Sequence, residues 1–373
     1  KTLVAFLSCL PAVNENLQVA WMAPTDVLAR QTWQLIDAWL KPFGITVAFL
    51  SGSTNAAEKK EIQKKIASGD LQVVVGTHAI LQPQVQFKAL GMVVIDEQHK
   101  FGVQQRLALQ EKDPLSDFLL MSATPIPQSL AMTLYGDLEI LTLKKGPPGR
   151  TPVATYLVPE RKRRNMEQFI LDQIQTTGAQ VYYVVPRIEG DDEDIETDQK
   201  NVAELRQTLL CGVFASIKSG FIHGRLSSEE KQTVMDSFAK GTVSLLLTTS
   251  VIEVGVDVAD ATIIVIENAD RFGLAQLHQL RGRVGRGKKK SYCFLLNSRD
   301  RVCDTEERLR MFCKSNDGFK IAEYDLQSRG PGEIGGFRQS GWGDLVFEEI
   351  LKTPHIFKEV QDEVERIFTA SSK

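Results

Sequence analysis

Short apolar runs rich in β-branched residues alternate with longer stretches of helical period along most of the chain. In the first part the runs are Val19 to Ala23, Thr46 to Leu50, Leu71 to Val75, Met92 to Ile95 and Phe118 to Met121. This alternation predicts a parallel sheet wrapped by helices. The segment Lys144 to Pro152, KKGPPGRTP, stacks Gly and Pro between charged ends and can continue neither a helix nor a central strand, so it reads as an interdomain linker. A second alternating set follows, with strands expected at Ala154 to Val158, Val181 to Val185, Ser244 to Thr248, Ile263 to Ile266 and Tyr292 to Leu296.

Within this second set, Glu189 to Asp198, EGDDEDIETD, reads as a solvated loop, because unpaired charge is costly to bury. After Leu296 the character changes. Thr305 to Lys314 and Pro354 to Phe368 have helical spacing, whereas Ser328 to Gly343 is dense in Gly. The expected organisation is two tandem α/β domains, residues 1–146 and 147–300, followed by a small helical appendage over 301–373.

Composition adds bounds. A chain of 373 residues is too long for one ordinary core. Apolar residues at 43% and charged residues at 24% match globular averages. No uncharged apolar run approaches the ~20 residues of a membrane helix, so no spanning segment is expected. The net charge of −3 gives no argument for a nucleic-acid partner. The five cysteines have neither CxxC spacing nor a histidine partner at metal-ligand spacing, which fits a reducing, cytosol-like compartment. The chain opens on Lys1 without a signal-peptide charge pattern, as a cut end would.

The sharpest chemical signal is the apolar Val93, Val94, Ile95 followed by Asp96, Glu97, Gln98 and His99. At the carboxyl end of a strand in a nucleotide-hydrolysing fold, the first acid can hold Mg²⁺ while the second polarises the attacking water. The alternative is two surface acids at a strand end. Lys1 and Thr2 could close a phosphate-binding loop, the Lys on the β and γ phosphates and the hydroxyl on Mg²⁺. The pair gains weight because the acids arrive about 95 residues later, after three βα units. In QLRGRVGR, Gln279 to Arg286, the glycines permit close backbone approach, and Arg281, Arg283 and Arg286 at helical intervals could aim two guanidinium groups one way. They read as arginine fingers on a triphosphate, with a plain phosphate-backbone contact as the alternative.

These residues, in order, resemble the helicase motifs of superfamily 2. Lys1 and Thr2 resemble the end of motif I, APTDVLARQ from Ala23 to Gln31 motif Ia, and GTHAIL from Gly76 to Leu81 motif Ic. Asp96 to His99 resembles motif II, Ser122 to Pro125 motif III, Thr248 to Asp257 motif V, and Gln279 to Arg286 motif VI. DEQHKFGVQQR from Asp96 to Arg106 and DLQSRGPGEIGGFRQSG from Asp325 to Gly341 are similar to the RecG family in particular. Lys100 stands where that family usually has Arg.

The resemblance implies two RecA-like domains and an ATP-dependent translocase acting on branched double-stranded DNA, stalled forks and four-way junctions, in recombination and repair. It implies ATP and Mg²⁺, with Mg²⁺ on Asp96 and Thr2, nucleotide contacts from Lys1, Thr2, Gly255, Asp257 and Gln279, and catalysis by Asp96, Glu97, Arg283 and Arg286. Gln98, His99, Ser122 and Thr124 would relay the nucleotide state. Arg308, Arg329 and Gln339 match the polar residues with which the family couples hydrolysis to movement. DNA phosphates would meet Thr25, Arg30, Gly76 and Thr77. The expected protein is a cytoplasmic, nucleoid-associated monomer, with a single-stranded DNA-binding protein as a further partner. The family's amino-terminal wedge domain and the Walker A glycines have no counterpart, so this exact chain is expected to bind ATP poorly and to be inactive. Two alternatives stay open: a translocase of the transcription-repair coupling type, and a non-catalytic nucleic-acid binding module with a decayed pocket.

Overall fold

The computed structural model describes residues 1–97, 115–122, 139, 141–143, 151–186, 207–209, 211–223, 226–249, 258, 260–285, 287, 289–297, 303–329, and positions 359, 363, 366 and 367. At 228, 303–305 and 327–329 only the backbone is described. Positions 144–150 of the expected linker, the acidic stretch 189–198, positions 330–343 of the Gly-dense segment and most of the expected helix 354–368 lie outside the described residues. The chain divides into two compact units, Lys1–Ala123 and Thr124–Lys373.

In the first unit the order is α1 (Thr2–Asn14), β1 (Gln18–Met22), α2 (Asp26–Leu40), β2 (Val47–Leu50), α3 (Ala56–Ser68), β3 (Val73–Gly76), β4 (Leu90–Ile95) and β5 (Asp117–Leu120). The strands form one sheet in the order β2-β3-β1-β4-β5, with every pairing parallel. Alternate residues of β1 serve the two faces, as the two-residue period of a strand requires. Ala20 and Met22 pack with Val74, Val93, Ile66 and Ile62 beneath α3. Val19 and Trp21 pack with Val75, Val94, Ile36, Leu40, Cys9 and Val13 beneath α1 and α2. Burial on both faces explains why the central strands are near-continuous apolar runs, with Gln18 at the start of β1 as the polar exception.

The second unit holds β6 (Ala154–Val158), α4 (Arg163–Thr177), β7 (Gln180–Val185), β8 (Ser219–Ile222), α5 (Ser228–Ala239), β9 (Leu245–Thr249), β10 (Ala261–Ile266), α6 (Leu274–Arg281), β11 (Tyr292–Leu296), α7 (Cys303–Lys314) and α8 (Gly318–Arg329). Its sheet runs β6-β11-β10-β7-β9-β8, again parallel at each pairing. Leu309 and Phe312 of α7 and Ile321 of α8 share one core with Leu274, Leu277 and Leu280 of α6 and with Tyr182, Val184, Ile264 and Leu295 of the sheet. The two helices therefore belong to the body of this unit.

The two sheets carry the same device at the start of a central strand. Gln18 Nε2 donates to Ile66 O at 2.9 Å and Leu71 O at 2.8 Å, and its Oε1 accepts from Lys88 N at 2.7 Å. Gln180 Nε2 donates to Phe238 O and, at 3.1 Å, to Val243 O. Each buried amide ties the start of its strand to the end of a later helix and to the loop beyond it, so that its own polar atoms are satisfied inside the core.

All ten expected strands are present with ends shifted by at most two residues, and two parallel-sheet RecA-like domains are the observed class. Among the described residues one further strand, β8, lies outside the expected set. The expected helix from Thr305 begins at Cys303, and α8 follows it.

Gly76 has a packing role that its motif position did not reveal. A Cβ there would lie 1.8 Å from Leu50 O, a backbone atom of the paired strand. Gly76→Ala should therefore lower the unfolding free energy of the first unit by about 3 kcal/mol or more, the upper range for overpacking, with the loss read from the midpoint of urea denaturation.

Candidate functional site

In the first unit the carboxyl ends of parallel strands gather the candidate groups. Asp96 N donates to Met22 O at 2.9 Å, which continues the β1–β4 ladder one residue past β4. The chain then turns at Glu97, whose φ of 52° lies in the left-handed region that a non-glycine residue adopts at a cost. Glu97 N donates to Asp96 Oδ1 at 3.0 Å, so the turn itself orients the first carboxylate. Lys1, at the start of α1, places its Nζ 3.7 Å from Glu97 Oε1, with side chains 38% and 21% exposed. A pair this open contributes little stability. Its value is positional: the cation and the acid pair meet at the amino end of a helix.

Burial first, and then the neighbouring Glu97 carboxylate, push the Asp96 pKa up, while Lys1 and the Glu97 amide pull against that shift. Two adjacent carboxylates that resist ionising together are a ready receptor for a cation. Thr2, half-buried, is the first residue of α1, and Ser122 is half-buried just beyond β5, where Met121 N donates to Ile95 O at 2.8 Å.

Of the other candidates here, Thr25 is the N-cap of α2, its Oγ1 accepting from Leu28 N at 3.4 Å. Arg30 is exposed and lies over the Phe49 ring at 4.5 Å. Gly76 and Thr77 are occupied otherwise. Gly76 O accepts from Ala23 N at 2.9 Å, and Thr77 N donates to Leu50 O at 3.2 Å. Thr77 is 1% exposed, and its hydroxyl has no hydrogen-bond partner among the described residues.

In the second unit α6 carries Gln279, half-buried, and ends at Arg281 with Gly282 as its C-cap. Arg283 follows, half-buried, and Gly285 turns the chain with φ 76°. The expected helical register of three arginines is therefore broken between Arg281 and Arg283. Arg281 is 3% exposed and points into the unit, donating from Nη1 to Phe312 O at 3.2 Å and Ser315 O at 2.8 Å. Arg308 is likewise buried and donates from Nη2 to Asp270 O at 2.9 Å and Phe272 O at 3.2 Å. Gln98, His99, Thr124, Gly255, Asp257, Arg286 and Gln339 lie outside the described residues, as does the side chain of Arg329. Asp325, whose carboxylate bonds Leu274 N at the start of α6, drew no notice as an individual residue, because DLQSRG gives no hint that its Asp caps a distant helix.

The folds and motif order are those of helicases. The DEAD/DEAH box helicase family matches residues 1–133, and the helicase conserved C-terminal domain matches 162–288. The C-terminal part of domain 3 of the ATP-dependent DNA helicase RecG matches 315–373. ATP-dependent DNA helicase RecG of Thermotoga maritima is 45% identical over 98% of this chain and 46% of its own length. Its counterpart in Escherichia coli K12 is 46% identical over 97% of this chain and 52% of its own. A structure of RecG bound to a three-way DNA junction superposes with a TM-score of 0.75 at 43% identity, covering 95% of this chain and 45% of that one. S. cerevisiae Dbp5, bound to RNA and ADP BeF3, shares the fold at 18% identity, with a TM-score of 0.59 over 94% of this chain and 86% of its own. The chain belongs to the RecG family of ATP-dependent DNA helicases. It spans about half the length of the curated relatives it matches.

The raised Asp96 pKa has a measurable sign. The folded state holds the proton more tightly than the unfolded chain, so this group's contribution to stability falls as pH rises from the ordinary carboxylate value, about 4, through its raised value. Asp96→Asn should therefore be more stable than the parent at neutral pH, with the difference vanishing below about pH 4. Thermal melting of both proteins across that range checks it.

Proposed function

We propose that this chain is the ATP-driven motor of a translocase that remodels branched double-stranded DNA, such as stalled forks and four-way junctions, in recombination and repair. The observation that carries the reading is the approach of Lys1 Nζ to Glu97 Oε1, 3.7 Å, beside a half-buried Asp96 at the carboxyl end of a parallel sheet. A family relative solved on a three-way DNA junction supports the substrate class.

In this reading Lys1 and the amino end of α1 bind the β and γ phosphates. Bound Mg²⁺ would neutralise phosphate charge, held by Asp96 and Thr2, a donor set that suits an ion commonly bound by one or two carboxylates plus phosphate oxygens. Glu97 orients the attacking water and takes its proton at a carboxylate oxygen. Gln279, with Gly255 and Asp257, lines the nucleotide from the second unit, and Arg283 and Arg286 stabilise charge on the γ-phosphoryl group. Gln98, His99, Ser122 and Thr124 carry the nucleotide state toward the DNA side, and Arg308, Arg329 and Gln339 join it to movement.

Phosphate contact falls to Arg30 and Thr25, which position the duplex without reading its sequence. Gly76 and Thr77 shape the turn beside them, since the Gly76 carbonyl, the Thr77 amide and the buried Thr77 hydroxyl face the protein. A monomer working in the cytoplasm at the nucleoid, with a single-stranded DNA-binding protein as partner, suits this activity. Domain limits at 146 and 300 belong to the same reading.

In the full-length protein, Glu97→Gln should reduce junction-stimulated ATP hydrolysis by about 10² to 10⁴, the range for a general base, and Arg283→Ala by about 10³ or more, as for an arginine finger. Steady-state phosphate release is the measurement, and hydrolysis at the parental rate in either variant sinks the assignment. Affinity for a three-way junction should fall steeply between about 50 and 200 mM salt and ignore base sequence in the arms. A fluorescence titration that finds one preferred sequence would contradict phosphate-led binding.

A further inference from the structure

Helix α6 and the α7–α8 helices cap one another. The N-cap of α6 is Gly273, which has no side chain to accept from the first-turn amides that every helix leaves unsatisfied. Half of a capping box is present, because Gly273 N donates to Gln276 Oε1 at 3.1 Å. A different first-turn amide is met from another helix: Asp325 of α8, 5% exposed, accepts from Leu274 N through Oδ2 at 3.2 Å. At the other end the exchange is reversed. Arg281, the last residue of α6, donates to the carbonyls of Phe312 and Ser315, which close the C-terminus of α7.

The arrangement satisfies more than geometry. A carboxylate at a helix amino end and a guanidinium at a helix carboxyl end both oppose the local helix dipole. The Arg281 guanidinium also stacks on the Phe312 ring at 4.1 Å from its centroid, and its Nη2 lies 3.1 Å from His278 Nδ1. Arg308 secures the approach to α6 by bonding the carbonyls of Asp270 and Phe272. Leu274, Leu277, Leu280, Leu309, Phe312 and Ile321 fill the space between with one apolar core. Buried charges bonded to backbone leave little freedom to slide, since any shift strands a desolvated ion.

We infer that Arg281 and Asp325 are positioning residues, which through these reciprocal caps fix α6 to the α7–α8 helices as one rigid body and so set where Gln279 and Arg283 stand. The inference deepens the motor reading and rests on it, since it takes Gln279 and Arg283 to act on the nucleotide. It separates the arginines of the QLRGRVGR stretch into two jobs. Arg281 holds the platform, and Arg283 reaches from its end.

The test uses the full-length protein, ATP, and a saturating three-way DNA junction. Arg281→Ala and Asp325→Ala should each lower kcat for junction-stimulated hydrolysis about tenfold while KM for ATP changes by less than about threefold, the pattern of a displaced transition-state group. Asp325→Asn keeps an oxygen that can accept from Leu274 N, and should return kcat to within about twofold of the parent. Arg281→Ala combined with Asp325→Ala should be about as slow as the slower single variant, because both act through the placement of α6. Rates are normalised to the folded fraction from circular dichroism. Unchanged kcat in both alanine variants, a loss in Asp325→Asn as large as in Asp325→Ala, or a loss equal to the unfolded fraction overturns the inference. If Arg281→Ala does not fold, the Asp325 pair decides alone. Absence of junction-stimulated hydrolysis in the unsubstituted protein would instead sink the motor reading beneath it.

Discussion

The position of the acid pair follows from one constraint: in a parallel sheet with both faces covered, backbone polar groups must be paired until the strand ends. β4 lies between β1 and β5 and keeps its ladder through Asp96 N to Met22 O and Met121 N to Ile95 O. Charged side chains reach an open surface where the covered strand ends. Asp96 and Glu97 sit at that point, and the left-handed Glu97 backbone turns the chain at once. Such a conformation costs on the order of 1 kcal/mol or more and persists where the surroundings over-determine it. Here the surroundings are the Asp96 carboxylate, which holds the Glu97 amide, and the Lys1 ammonium near the Glu97 carboxylate.

The same constraint explains what was legible in the sequence. Strands buried on both faces are continuous apolar runs, so β1, β4, β7 and β10 announced themselves. β8 did not, because Ser219-Gly220-Phe221-Ile222 is an edge strand with three half-exposed residues and carries no such run. The acid pair was legible for the same reason as the strands, being the place where an apolar run becomes acidic. Arg281 was not separable from Arg283 by spacing. What divides them is the end of α6 at Gly282 and the burial of Arg281 against carbonyls more than 30 residues away. Gly76 likewise sits within a motif-like GTHAIL, while its need for glycine comes from the Leu50 carbonyl across the sheet.

Exposure sorts the polar contacts by consequence. Lys289 with Asp260 and Arg310 with Glu306 are open ion pairs of 2.8 and 2.6 Å, and pairs this exposed add little to stability. The buried groups are of another kind. Gln18, Gln180, Arg281, Arg308 and Asp325 bond mainly to backbone atoms of other elements, and each joins segments far apart in sequence. Glu267 and Tyr183 add a further tie, Tyr183 OH donating to Glu267 Oε2 at 2.8 Å while Arg163 Nη1 donates to the same oxygen at 3.1 Å. These contacts fix helix position, whereas the surface pairs mainly decorate it.

That distinction bears on how the second unit would hold an arginine in place for the proposed nucleotide reaction. A mobile arginine on a loose loop would reach a phosphate in many geometries and stabilise none of them well, because electrostatic stabilisation of a transition state depends on groups already in place. Arg283 stands two residues beyond a helix that is capped at one end by α8 and caps α7 at the other. The helices that follow β11 are therefore structural partners of the arginine stretch before they are anything else. A movement of α7 and α8 would carry α6 with it, and a restraint on α6 would be felt in both helices. Coupling of the kind proposed would then need no relay through flexible segments, since the two ends of one short helix already belong to the same packed body.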